Sequence, residues 1–233
     1  MHRTIVVQNR IPLQRINLRP APDWPIRYDD RLDDSLPTMS SHFTQEIAAT
    51  AARLVVEEGL EYGPAKRRAV KQLGVTGRAE LPDNDSVEDA VREYLSVFCS
   101  DTQPAELAAL RRLAVTWMKR LAEFRPHLTG AVWRGTATRL NDIHLQLYCD
   151  DSKSAEIQLI NLNLPYEVGA VPGPRGTEVD RLSLTIPCQE LGEPIGLHLT
   201  ILDLDDLRGA LKANSRGQTE RGDLAAVEAL LAA

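Results

Sequence analysis

The stretch Asp142-Ile143-His144-Leu145-Gln146-Leu147-Tyr148-Cys149 alternates polar and apolar residues. Period-two alternation marks a half-buried strand, so Asp142, His144, Gln146 and Tyr148 share one face and Ile143, Leu145, Leu147 and Cys149 the other. One face is core; the other sets a carboxylate beside an imidazole, a pair with the means to hold a cation or move a proton. Just upstream stands Val132-Trp133-Arg134-Gly135-Thr136. Here Gly135 lets a backbone approach a phosphate, Thr136 adds a hydroxyl donor and Arg134 a positive charge.

Several elements must position these groups. From Phe43 the text is helical: Ile47, Ala51, Leu54 and Val55 fall on one face and Gly59 ends the segment. Gly63-Pro64 starts a short basic helix that Gly74 closes, and Lys66, Arg67, Arg68 and Lys71 read as its solvated face. Ser86 with Asp89 resembles a capping box ahead of Val87, Val91 and Leu95. A fourth helix is expected from Thr102–Pro104 to Phe124, with Leu107, Leu110, Ala114, Trp117, Met118 and Leu121 on its apolar stripe. After His127 the period shortens to two. Residues 128–135 and 142–149 are expected as strands joined by a short Gly-Thr turn, followed by a helix at 152–162 and three further strands around 166–171, 179–187 and 195–203. Helices at 206–212 and 222–232 close the chain. The expected fold class is α+β, an N-terminal helical region followed by a mixed sheet with flanking helices.

Composition bounds the possibilities. Five of the fourteen prolines fall within residues 1–38, which lack an apolar period, so this part is expected to be an extended or disordered tail. Met39 stands at its end and is a candidate alternative start. The expected organisation is therefore a tail at 1–38, a helical region at 39–101 and an α/β domain at 102–233. No apolar run approaches the ~18 residues of a membrane span, and the start lacks a secretory h-region, so a cytoplasmic location is expected. A net charge of −6 disfavours nucleic acid as a bulk ligand. Cys99, Cys149 and Cys188 are three widely spaced thiols without a CxxC, neither a disulfide framework nor a zinc site. There is also no GxSxG, HExxH or GxGxxG, so serine hydrolase, zincin and dinucleotide-binding readings lack their first residue.

With its preceding helix, its Gly135-Thr136 turn and the triplet at 142–144, the segment around residues 105–205 resembles the nucleotidyltransferase superfamily related to DNA polymerase beta. The resemblance implies that Arg134, Gly135 and Thr136 seat nucleotide phosphates and that Asp142 holds Mg²⁺. It also implies a further acid from a later strand, Asp203 or Asp205, and transfer of a nucleoside monophosphate from an NTP to an unidentified acceptor. His144 stands where that superfamily carries its second carboxylate, and neutral imidazole is a poor Mg²⁺ bridge. The alternative is a catalytically degenerate homologue acting as a ligand-binding or protein-interaction module. The run from Ile47 to Leu230 is also similar to an uncharacterised bacterial family labelled UDP-N-acetylmuramate-alanine ligase. Such ligases carry a GxxGK[ST] loop; Gly173-Pro174-Arg175-Gly176 has neither the Lys nor a following helix, so ligase chemistry is not expected here.

Overall fold

The apolar stripes of the first three helices have few polar gaps, and they meet each other before they meet any sheet. In the computed structural model, which describes residues 39–75, 80–214 and 216–232, these helices are α1 (Met39–Glu58), α2 (Tyr62–Gln72) and α3 (Asn84–Phe98). Ile47, Ala51, Leu54 and Val55 of α1 bury against Ala65 and Ala69 of α2 and Val87, Val91 and Leu95 of α3, forming one hydrophobic cluster. Helix α3 starts earlier than its capping-box pattern suggests. Asp83 is the N-cap and accepts the Ser86 N–H at 2.7 Å, because Asp83 has the extended backbone a cap requires while Ser86 already lies within the first turn.

The remaining elements are α4 (Gln103–Arg120), β1 (His127–Thr129), α5 (Gly130–Arg134), β2 (Ile143–Cys149), α6 (Ser152–Asn161), β3 (Glu167–Pro172), β4 (Glu178–Cys188), β5 (Glu193–Asp203), β6 (Arg221–Gly222) and α7 (Leu224–Ala232). The sheet runs β3-β4-β5-β2-β1-β6; β2 and β5 are parallel and the other pairs antiparallel. Its apolar face, built from residues such as Leu128, Ile143, Leu145, Leu184, Leu197 and Leu199, shares a second cluster with Leu110, Ala114, Trp117 and Met118 of α4, Leu159 of α6 and Val227 of α7. The architecture is thus a mixed α+β fold, N-terminal helices followed by a mixed sheet flanked by helices. The tail expected over 1–38 lies outside the described residues.

Two expected elements differ. Residues 128–135 do not form one strand: only His127–Thr129 pair, and Gly130–Arg134 turn into α5. Gly130 at φ 74° breaks the extended run, and Gly135 at φ 82° ends the helix in the left-handed cap conformation glycine favours. Residues 206–212 are not a helix; Leu204–Leu207 form a 3₁₀ turn capped by Asp203, and the chain leaves it at Arg208, whose backbone is extended at φ −65° and ψ 108°.

Helix α5 is pinned by Trp133, whose indole N–H donates to the Thr219 carbonyl at 2.7 Å. Its ring lies where a Cβ on Gly222 of β6 would fall. Gly222→Ala is expected to overpack this contact and lower unfolding stability by about 1–3 kcal/mol, read by denaturant melts.

Candidate functional site

Strand register decides what reaches the open face of the sheet. Antiparallel β4 sets Ser183 beside His198 of β5; parallel β2 sets His144 beside His198; β1 sets Thr129 beside His144. Two residues before the His144–His198 pair, Asp142 stands level with Gly196; two residues after it, on the same face, Gln146 stands beside Thr200, which in turn faces Arg181. These polar rows border a cleft of about 710 Å³. Its floor includes Asp142, His144, Arg181, His198 and Thr200, and its walls come from Val55, Gly59–Gly63, Asn84, Thr129–Ala131, Arg134, Thr136, Leu140 and Asn141. The helical cluster and the sheet therefore meet at this cleft. Arg134 ties the seam: its guanidinium pairs with Glu88 of α3 at 2.9 Å, lies over the Tyr62 ring at 5.7 Å, and its carbonyl accepts from Arg92 at 2.8 Å.

Within the cleft Asp142 is held from two sides. Oδ1 accepts the Gly196 N–H at 3.0 Å, and Oδ2 lies 3.0 Å from His198 Nε2. Only glycine fits opposite: a Cβ at 196 would collide with the Asp142 carboxylate. The hydrogen bond to His198, reinforced by the Gly196 amide, holds the Asp142 carboxyl below the usual carboxylate range despite partial burial. On its other ring nitrogen, His198 Nδ1 lies 2.9 Å from Ser183 Oγ. His144 stacks on His198 with ring centroids 4.9 Å apart. Burial, and then the neighbouring His198, push the His144 imidazole down to about 4, so it is neutral at pH 7.

The residues expected to seat phosphate do not act as one set. Arg134 and Thr136 line the cleft, whereas Gly135 serves as the cap of α5. The last carbonyls of that helix and of the residues just after it point to α3 and α4: Arg92 of α3 donates to Arg134, and from α4 Arg111 donates to Val132 and Trp133 and Gln103 to Gly135 and Ala137. This end of α5 therefore exposes acceptors already bound to donors, the opposite polarity to a phosphate cradle. Buried Thr136 Oγ1 stands near Tyr62 and Arg134 without completing a hydrogen bond of normal geometry.

The expected acids are also apart. Asp203 lies opposite Cys149 at the far end of the β2–β5 pair from Asp142, roughly 20 Å along the strands at ~3.3 Å per residue. There Asp203 accepts the Asp205 N–H at 2.8 Å and caps the 3₁₀ turn. The grouping of Asp142 with Asp203 or Asp205 does not form. Beside His144, the neighbour on the later strand is instead His198, a residue that sequence reading passed over although its strand face was legible. One carboxylate and two imidazoles do not match the hard oxygen donors that a two-Mg²⁺ centre requires. Among the described residues no group of three or more His, Cys, Asp or Glu side chains is arranged to hold a metal.

Arg181 is the cleft's distinctive charge. It has no acidic partner among the described residues, and its Nε is buried without a hydrogen bond. No helix among the described residues is long and apolar enough to cross a membrane. No protein-family model, curated protein or solved structure matches the chain.

The His144 shift has a measurable consequence. An imidazole in the unfolded chain binds its proton near 6.5, whereas in the fold it does so only near 4, so the unfolded state holds more protons between these values. Unfolding free energy is expected to fall as pH drops from about 6.5 to about 4, by on the order of 3 kcal/mol from this group, and its contribution then levels off. His144→Gln should remove that component when stability is followed by urea melts across the same range. Asp142 acts in a lower window: its contribution is present above the ordinary carboxylate pKa and is lost as pH falls through its depressed folded value.

Proposed function

We propose that the protein is a divergent, nucleotidyltransferase-like protein that binds a nucleotide in this cleft without two-metal transfer. One observation carries the reading. The row that would present carboxylates in a transferase presents His144 and His198, while Arg181 on the next row has no acidic partner among the described residues. A transferase site is strongly anionic and depends on metal to bring phosphates near. Here one carboxylate is already engaged by Gly196 and His198, and the unpaired guanidinium can take a phosphate directly. Glu61 at the rim is the other acid lining the cleft, and Arg134 is already paired. Val55, Leu60 and Tyr62 supply an apolar wall for a flat base, and a cleft of about 710 Å³ is of ligand-binding size.

The test is titration with ATP, GTP, CTP and UTP, with and without Mg²⁺, alongside incubation with α-labelled NTPs. Binding that persists in a metal chelator is expected. Arg181→Ala should weaken it about 10- to 100-fold, the scale of one lost charge-assisted hydrogen bond. No binding of any of the four at millimolar concentration would refute the proposal. Metal-dependent label transfer that vanishes in Asp142→Ala would instead restore the transferase reading.

A further inference from the structure

Ser183 of β4, His198 of β5 and Asp142, the residue just before β2, form a continuous chain: Oγ to Nδ1 at 2.9 Å and Nε2 to Oδ2 at 3.0 Å. An ionised carboxylate only accepts, so Asp142 keeps the proton of the neutral imidazole on Nε2 and leaves the Nδ1 lone pair facing the Ser183 hydroxyl. The ring is further fixed by the His144 stack and the carboxylate by the Gly196 amide. A nucleophile, its base and an orienting carboxylate are thereby in line. Two residues before Ser183 on the same strand face stands Arg181, with the unbonded Nε described above. Glu167 of β3 is the neighbour of Ser183 on its other side.

We infer that Ser183 is a nucleophile toward carboxylic esters, with His198 as its general base, Asp142 as the residue orienting that base, and Arg181 as the cation beside the developing oxyanion. Ser183 Oγ attacks the ester carbonyl carbon, and the new O–C bond forms as the carbonyl π pair moves onto oxygen. The Ser183 proton passes to His198 Nδ1. Collapse of the adduct breaks the ester C–O bond, and the departing alcohol takes that proton. Water then attacks the acyl-Ser183 carbonyl carbon and gives a proton to His198 Nδ1; the bond from Ser183 Oγ to the acyl carbon breaks, Oγ takes that proton back from His198, and the carboxylic acid leaves. The ring is used in the opposite sense to the familiar triad, in which the serine faces Nε2 and the carboxylate Nδ1. Either nitrogen can act as base once the other carries the proton. Because the serine lies on a strand rather than a strand-to-helix elbow, the GxSxG motif is not required to expose it.

The full chain is treated with a fluorophosphonate, and the adduct is mapped by peptide mass spectrometry, with p-nitrophenyl acetate turnover measured in parallel. One adduct, on Ser183, is expected, together with a burst of p-nitrophenol that Ser183→Ala abolishes. Labelling should slow by at least ~100-fold in His198→Gln, the scale of a lost general base, and also slow in Asp142→Asn. Thermal melts verify that these variants remain folded, and the map of the unaltered chain decides independently of them. Absence of an adduct on Ser183, or equal labelling rates in the unaltered chain and folded His198→Gln, overturns the assignment. It does not rest on nucleotide occupancy. The probe carries no nucleoside, so Ser183 labelling and nucleotide binding fail separately.

Discussion

The parallel pairing of β2 with β5 is the constraint on which the cleft depends. It sets Asp142 level with Gly196 and His144 level with His198, and the absent side chain at 196 admits the Asp142 carboxylate to a backbone amide. The long route from β2 to β5 passes through α6, β3 and β4. It returns β4 antiparallel on the other flank of β5, which brings Ser183 to His198. A slip of one residue between β2 and β5 would drive the polar face into the cluster formed with α4 and expose its apolar face. The burial that stabilises the sheet and the placement of the polar groups are therefore one requirement.

Alternation made much of this readable. The two faces of β2 and β5, the apolar stripe of α4 and the closing helix follow from residue periods alone. What escaped was partnership across strands. His198 and Ser183 are ordinary polar residues on alternating strands, and their contact follows from a register set by connections of many residues rather than by neighbours in the chain. Asp203 misled because acidity was legible but distance along a strand was not. Its carboxylate is occupied in local capping, as short acids at turns often are. Helix α5 escaped for another reason: five residues, starting on one glycine of positive φ and stopping before another, are too few to show a helical period.

The same short helix organises polar groups that would otherwise be costly to bury. Its terminal carbonyls gather Arg92 from α3 and Gln103 and Arg111 from α4, so one helix end joins both parts of the fold. Trp133 fastens it to the C-terminal segment. His144 packs beside Gly130, the first residue of this helix, and on His198, where burial favours the uncharged ring.

Among the described residues two hydrophobic clusters rather than one form the interior, and the cleft lies along their seam. Between clusters the fastening is largely electrostatic, with Arg134 paired to Glu88 and Arg216 to Asp85 and Asp89. Ionic strength acts more strongly on such contacts than on either apolar interior. A molecule held in the seam would touch both halves, so its binding energy would enter their cooperativity. The folding of α1–α3 and of the sheet would then be thermodynamically linked through the occupant as well as through these contacts.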